Sequence, residues 1–158
     1  NGFRLPSVDE WELAARYIDG ETWLPGDHAS GDTAGACYDR YPTLDGRPQS
    51  PRFQDYGWYE GNSSAPGHSG ITSSNGTHPV GTAGSASTEP RSGNANHLGL
   101  YDMSGNVWEW CSDDFYHMRL IKGGCWWTTR AYMRVGHYEH FRPTYEGTLV
   151  GFRPARSL

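Results

Sequence analysis

Positive charge, cysteine and long apolar runs are all in short supply in this chain, and each shortage excludes something. Thirteen Lys and Arg stand against 18 Asp and Glu, and the formal net charge of -5 leaves no basic footprint for a nucleic acid or an anionic membrane. No apolar run approaches the roughly 20 residues that span a bilayer, and the N-terminal NGFRLPS has no apolar core of the signal-peptide kind. Cys37, Cys111 and Cys125 permit at most one internal disulfide, and no two have zinc-ribbon or redox spacing. Hydrophobic residues reach only 35% while aromatics reach 14%, so the core must rest on Trp, Tyr and Phe.

What is abundant is glycine, at 21 residues, with 10 prolines, which favours irregular backbone over long helices. The length of 158 residues fits a single domain. One helix is expected in PSVDEWELAARY: Ser7 as N-cap, Glu10 closing a capping box, then Trp11, Ala14, Ala15 and Ile18 on one face, ending near Asp19-Gly20. Residues 21 to 59 read as loops with short extended pieces. The Gly/Ser-rich stretch 61 to 96 lies between aromatic-rich segments and is expected to cover a core rather than to link two domains. From Leu98 onward, EWCSDDFY, RLIKGGCWW, AYMRVGHYEHF and LVGFRPA suggest several short antiparallel strands, broken at Gly123-Gly124 by a turn or a close backbone approach.

GLYDMSGNVWEW, residues 99 to 110, fits neither helix nor strand. Asp102 and Glu109 flank Gly105, where the backbone can turn its carbonyls inward, and calcium wants six to eight oxygens of these kinds. An Asx-type turn with a solvated Glu satisfies the same spacing.

Five ordered motifs carry a wider resemblance: GFRLPSVDEWELAAR at 2 to 16, PVG at 79 to 81, GLYDMSGNVWEWCSD at 99 to 113, RLIKGGCWW at 119 to 127 and GFRPA at 151 to 155. Together they resemble the formylglycine-generating-enzyme (sulfatase-modifying factor) domain family. The resemblance implies one α+β domain over residues 1 to 158, a variant of the C-type-lectin fold with little regular structure, short antiparallel strands and one or two helices. It implies a structural calcium held by the side chains of Asp102 and Glu109 and the carbonyls of Gly105 and Val107, which leaves Trp108 and Trp110 as core aromatics. Family domains usually carry a further portion before the RLPS motif, so the chain is expected to lack its N-terminal part, which is then itself a candidate partner.

The oxidases of that family use two cysteines shortly after the GG motif, as soft thiolates suit copper. The matching positions here are Thr128 and Met133, so the expectation is no enzyme. Cys111 and Cys125 read as small buried hydrophobes. His137 and His140 are three residues apart beside Arg142-Pro143, the wrong spacing and setting for a zincin pair. The sulfoxide synthases of the family bind iron in a separate helical domain. The C-terminal segment instead resembles the variable proteins of diversity-generating retroelements, non-catalytic members that vary C-terminal side chains to recognise different ligands. On that resemblance, residues 120 to 153 form a variable region whose ligand-binding candidates are Trp127, Thr128, Thr129, Tyr132, His137, Tyr138, Glu139, His140, Phe141, Tyr145, Glu146 and Thr148. Side chains of these types combine apolar area with polar tips, as adaptable binding surfaces do. Arg134 and Arg153 are expected to tie strands together. The implied ligand is a protein or a surface group, and surface display or an extracellular setting would suit it; a divergent family enzyme is the alternative.

Overall fold

The computed structural model describes residues 2–32, 53–63, 76–85, 87 and 89–156. Cys37 and much of the two loop-rich stretches fall outside the described residues.

Helix α1, Val8–Arg16, starts as its sequence dictates: Ser7 Oγ accepts from the Glu10 amide at 3.1 Å, and Glu10 Oε2 accepts from the Ser7 amide at 2.9 Å. It stops at Arg16, three residues before Asp19. Tyr17 turns extended and pairs with Trp23 as an isolated bridge, and the Arg16 carbonyl accepts from the Leu24 amide at 2.8 Å, so the returning chain takes the place of another helical turn. Trp11 and Ala15 are buried, with Ala14 and Ile18 packed beside them against Leu24, Met103, Cys111 and Val135.

Strands β1, Phe3–Arg4, and β6, Ala155–Arg156, pair antiparallel in a two-residue ribbon. The main sheet has β2 at Trp108–Phe115, β3 at Met118–Lys122, β4 at Tyr138–Phe141 and β5 at Val150–Gly151, in the order β4-β3-β2-β5. β2, β3 and β4 pair antiparallel as the sequence suggests, but β5 lies parallel to β2. After β4 the chain crosses to the far side of β2, where the Leu149 carbonyl accepts from the Trp108 amide at 2.8 Å. A short helix α2, Phe53–Tyr56, stands in the region expected to be loop and buries Phe53 against Ala29 and Met133. Directly after it, Gly57 passes so close to the loop after Tyr101 that a Cβ there would lie 1.9 Å from the Ser104 carbonyl oxygen.

Side-chain alternation gives the sheet two faces. On the front, Trp108 and Ile121 bury with Cys125, and Trp110, Phe141, Leu149 and Val150 pack around them. The back turns Cys111 and Leu120 toward α1. Lys122 lies on that side, fully buried, its Nζ 3.1 Å from Glu12 Oε2 and 5.3 Å from the Trp11 ring centroid. Burial holds its ammonium below the ordinary lysine value, against the pull of Glu12.

Candidate functional site

Residues 99 to 110 are the hub between these parts. Asp102, Gly105 and Asn106 all take positive φ, at 54°, 82° and 65°. The Gly105 amide donates to the Gly123 carbonyl at 2.7 Å and the Asn106 amide to that of Trp58 at 2.7 Å. Ser104 Oγ donates to the Met133 carbonyl and accepts from the Ser30 amide. Gly123, at φ 95°, is the close approach expected there: a Cβ on it would meet the Met103 carbonyl at 3.1 Å and the Trp11 ring at 3.3 Å.

The calcium candidates divide. Glu109 is buried and already well bonded: Oε2 accepts from Trp11 Nε1 at 2.7 Å and from Arg153 Nε at 3.1 Å, while among the described residues Oε1 accepts only from Arg153 Nη2 at 2.8 Å. Arg153 also donates to the Tyr101 carbonyl at 2.7 Å, which ties the stretch between β5 and β6 to residues 99 to 110. Asp102 Oδ2 accepts from the Gly81 amide at 3.0 Å and Asn106 Nδ2 at 3.1 Å, but Oδ1 is buried with no hydrogen-bond partner among the described residues. Burial pushes the Asp102 carboxyl above the ordinary value, and the Glu109 charge pushes the same way. Two carboxylates thus share one guanidinium, and an orphaned carboxylate oxygen is what a hard cation would satisfy. The orphaned Asp102 Oδ1 is the observation on which a cation can be argued, and Glu109 Oε1, bonded to Arg153, is the other side-chain oxygen it would use. Among the described residues no group of three or more His, Cys, Asp or Glu is placed to hold a metal, so the remaining donors would be carbonyls such as those of Gly105 and Val107.

None of the twelve recognition candidates is buried; seven are exposed and five half-buried. Trp127 (47% exposed) and Trp126 meet edge to face at 5.4 Å, and Trp126 Nε1 donates to the Thr148 carbonyl. Tyr132, on the 3-10 turn Arg130–Tyr132, meets His137 at 4.9 Å, and both lie against Trp108. His137 Nε2 faces Glu139 Oε1 at 3.4 Å without a hydrogen bond of good geometry, and burial lowers its pKa below the ordinary histidine value. Phe141 joins Tyr145 at 4.5 Å and Trp110 at 6.4 Å. Thr129 and Glu146 are exposed at the rim.

The structure does not bring all twelve together. Alternation along β4 puts Glu139 and Phe141 on the front face and Tyr138 and His140 on the back. His140 there meets Phe115 at 5.3 Å, which in turn meets Tyr116 at 4.9 Å. Thr128 is spent internally: its Oγ1 donates to the Cys125 carbonyl at 2.9 Å and accepts from the Cys125 amide at 3.0 Å. Phe115 and Tyr116, the latter 84% exposed at the tip of the β2–β3 hairpin, adjoin His140 and stand outside the sequence candidates. The available signal was SDDFYHMR, a polar turn that carries two adjacent aromatics and no glycine.

The positions matching the oxidase cysteines do not approach that chemistry: Met133 is buried beside Ala29 and Phe53, and Thr128 braces a turn. Cys111 and Cys125 are buried free thiols. Burial raises both, and pushes Cys111 up to about 12, so neither is a ready thiolate.

The family model for the Sulfatase-modifying factor enzyme 1-like domain matches residues 1–158. Serine/threonine-protein kinase pkn1 of Chlamydia caviae is 34% identical over 84 residues, 40% of this chain and 14% of that protein. Inactive C-alpha-formylglycine-generating enzyme 2 of Mus musculus is 26% identical over 130 residues, 79% of this chain and 32% of that protein. The solved structure of Treponema denticola variable protein 1 superposes with a TM-score of 0.64 at 26% identity, over 97% of this chain and 47% of that one. The chain therefore spans less than half the length of each of these relatives.

Proposed function

From the premise that this chain belongs to the Sulfatase-modifying factor enzyme 1-like family and has its C-type-lectin-like α+β fold, we propose that it is a non-catalytic ligand-binding domain. Its C-terminal side chains recognise a protein or cell-surface ligand in the manner of a retroelement-diversified variable protein. The observation that carries this reading is the separation of frame from face. Trp108, Ile121, Cys125 and Met133 are buried, while the candidates around them leave polar and aromatic tips in solvent. Exposed side chains on a fixed backbone can change without refolding the domain, which is the physical requirement for altering affinity by substitution. The likeness to a variable protein and to a relative named inactive supports the same side, as does the absence of a thiol pair at Thr128 and Met133.

Calcium is part of the proposal. Asp102 Oδ1, Glu109 and the carbonyls of Gly105 and Val107 would hold it, and when bound it would supply counter-charge for the two carboxylates and fix the loop that braces β2 and the Gly123 turn.

Sequencing the coding segment across sister clones of the source population tests the reading. Substitutions concentrated at residues 127 to 148, sparing Gly123, Gly124, Arg134 and residues 151 to 153, are expected. An invariant segment would remove the retroelement reading and leave a fixed-specificity binder or a divergent enzyme, which turnover of a thiol peptide with copper and oxygen then separates. On the bound ligand, Trp127→Ala should cost at least tenfold in affinity with the melting temperature held within a few degrees.

A further inference from the structure

The split of β4 across two faces raises a question that a ligand lying on one face does not answer. Tyr138 and His140 point one way, Glu139 and Phe141 the other, and all four are at least partly exposed. A ligand on the front face would leave the back pair unused. An occupant that straddles the strand would touch all four.

β4 is an edge: the sheet order is β4-β3-β2-β5, and among the described residues no strand pairs with its outer side. Protein edges of this kind are normally guarded by lysine, proline, a bulge or extreme shortness, because their open N–H and C=O groups recruit another strand. The other edges here are short, since β1, β5 and β6 have two residues each. β4 has four, in continuous register with β3 from Arg119↔Phe141 to Lys122↔Tyr138. It carries neither lysine nor proline. Its guards are Glu139 on the front face and Pro143 two places after the strand, so the edge that lies among the recognition side chains is the longest in the sheet and only lightly protected.

We infer that the ligand of this face is an extended polypeptide segment that adds to the sheet as a fifth strand along the outer edge of β4. The inference rests on the ligand-binding reading and names its partner class. Main-chain hydrogen bonds to Tyr138–Phe141 supply affinity that does not depend on sequence, and flanking side chains supply choice. On the front, an incoming side chain meets Phe141 with Tyr145 4.5 Å away, and the position opposite Glu139 favours a basic residue. On the back, alternate side chains meet Tyr138, which is 51% exposed, and His140, with Phe115 and Tyr116 beyond. This arrangement also gives the hairpin tip a role, as the end wall of the back-face contacts.

The probe is a phage-displayed library of linear dodecapeptides panned on the whole chain, followed by synthesis of the enriched peptide and of a copy with alternate backbone amides N-methylated. Enrichment of peptides with period-two apolar positions, slowed amide exchange at the two alternate residues of 138–141 whose amides face away from β3, and at least a tenfold loss on N-methylation in one of the two alternate phases are expected. Equal binding by both methylated phases would overturn strand addition while leaving side-chain recognition in place, so the two readings fail separately. No enriched peptide, or exchange slowed only around Trp127 and Tyr132, would also sink it. Concentration-dependent dimers in sedimentation, lost when β4 is blocked by Pro at whichever of Glu139 and His140 has its amide facing away from β3, with the native melting temperature retained, would assign the edge to a second copy instead.

Discussion

At the scale of single residues, two ion pairs make opposite demands on the solvent. Arg4 and Glu10 pair at 2.6 Å on the surface, and the guanidinium, with the Ser7 amide, holds the Glu10 carboxyl down to about 2 from its ordinary 4.5. A carboxyl depressed in the folded state stabilises above its unfolded value and loses that contribution as pH falls through the folded one. Glu10→Gln is therefore expected to melt lower than the parent at pH 7, with the gap closing between about pH 4.5 and 2. A gap that persists at pH 2 would mean that the amide fails as a cap, independent of charge. Lys122 is the buried counterpart. Removing its partner by Glu12→Gln strands an ammonium that has no exposed surface, and should cost about 3 kcal/mol in urea titrations. Lys122→Met, which deletes the charge itself, is expected to be far milder, because a buried pair repays little more than its own desolvation.

At the scale of elements, the β2–β3 hairpin breaks a local rule. Tyr116 and His117, at φ 47° and 65°, occupy a two-residue turn where Asn-Gly is the natural choice, and each non-glycine residue in that region carries strain. Replacing the pair by Tyr116→Asn and His117→Gly should stabilise the chain by about 1 kcal/mol. If the turn serves recognition, the same variant should weaken peptide binding. Gain in stability with binding unchanged would make Tyr116 an exposed side chain without a part in the face. Helix α1 shows the opposite case, where a local signal is obeyed at one end and overridden at the other. Its capping box forms from Ser7 and Glu10 alone, whereas its last turn yields to the Tyr17–Trp23 bridge.

At the scale of the whole molecule, the 99–110 segment, which runs into β2, connects α1 through Trp11, the stretch between β5 and β6 through Arg153 and the turn after β3 through Gly123. A cation that binds this loop only in the folded state stabilises everything it connects, by about 2.7 kcal/mol at a concentration one hundred times Kd. Chelation is therefore expected to lower the melting temperature of the whole chain in one transition, and added calcium to restore it. An unchanged melt would remove calcium from the proposal and leave Arg153 as the counter-charge to Glu109 and Asp102.

The sequence by itself determined what depends on neighbours along the chain or on composition. The capping box, the glycine turn at 123 and the buried thiols of Cys111 and Cys125 follow from residues a few places apart, or from what the chain has too little of. The core departs from the composition: among the described residues only Trp11, Phe53, Trp58 and Trp108 of its buried hydrophobics are aromatic, and Leu24, Met103, Ile121, Met133, Val135 and small residues fill the rest. Tertiary structure decided what depends on register and on distant partners. Glu109 finds Trp11 and Arg153, 98 and 44 positions away, and no local spacing announces that. Among the described residues Asp102 Oδ1 is orphaned, because the Gly81 amide and Asn106 engage only its other oxygen. The twelve candidates came from the resemblance to variable proteins, in a segment dense in aromatic and polar tips between the GG and GFR motifs. Their division across β4 was not legible in the sequence, because a strand's alternation shows which residues share a face, and only pairing with β3 and packing against Trp110 show which face is which and which edge is open.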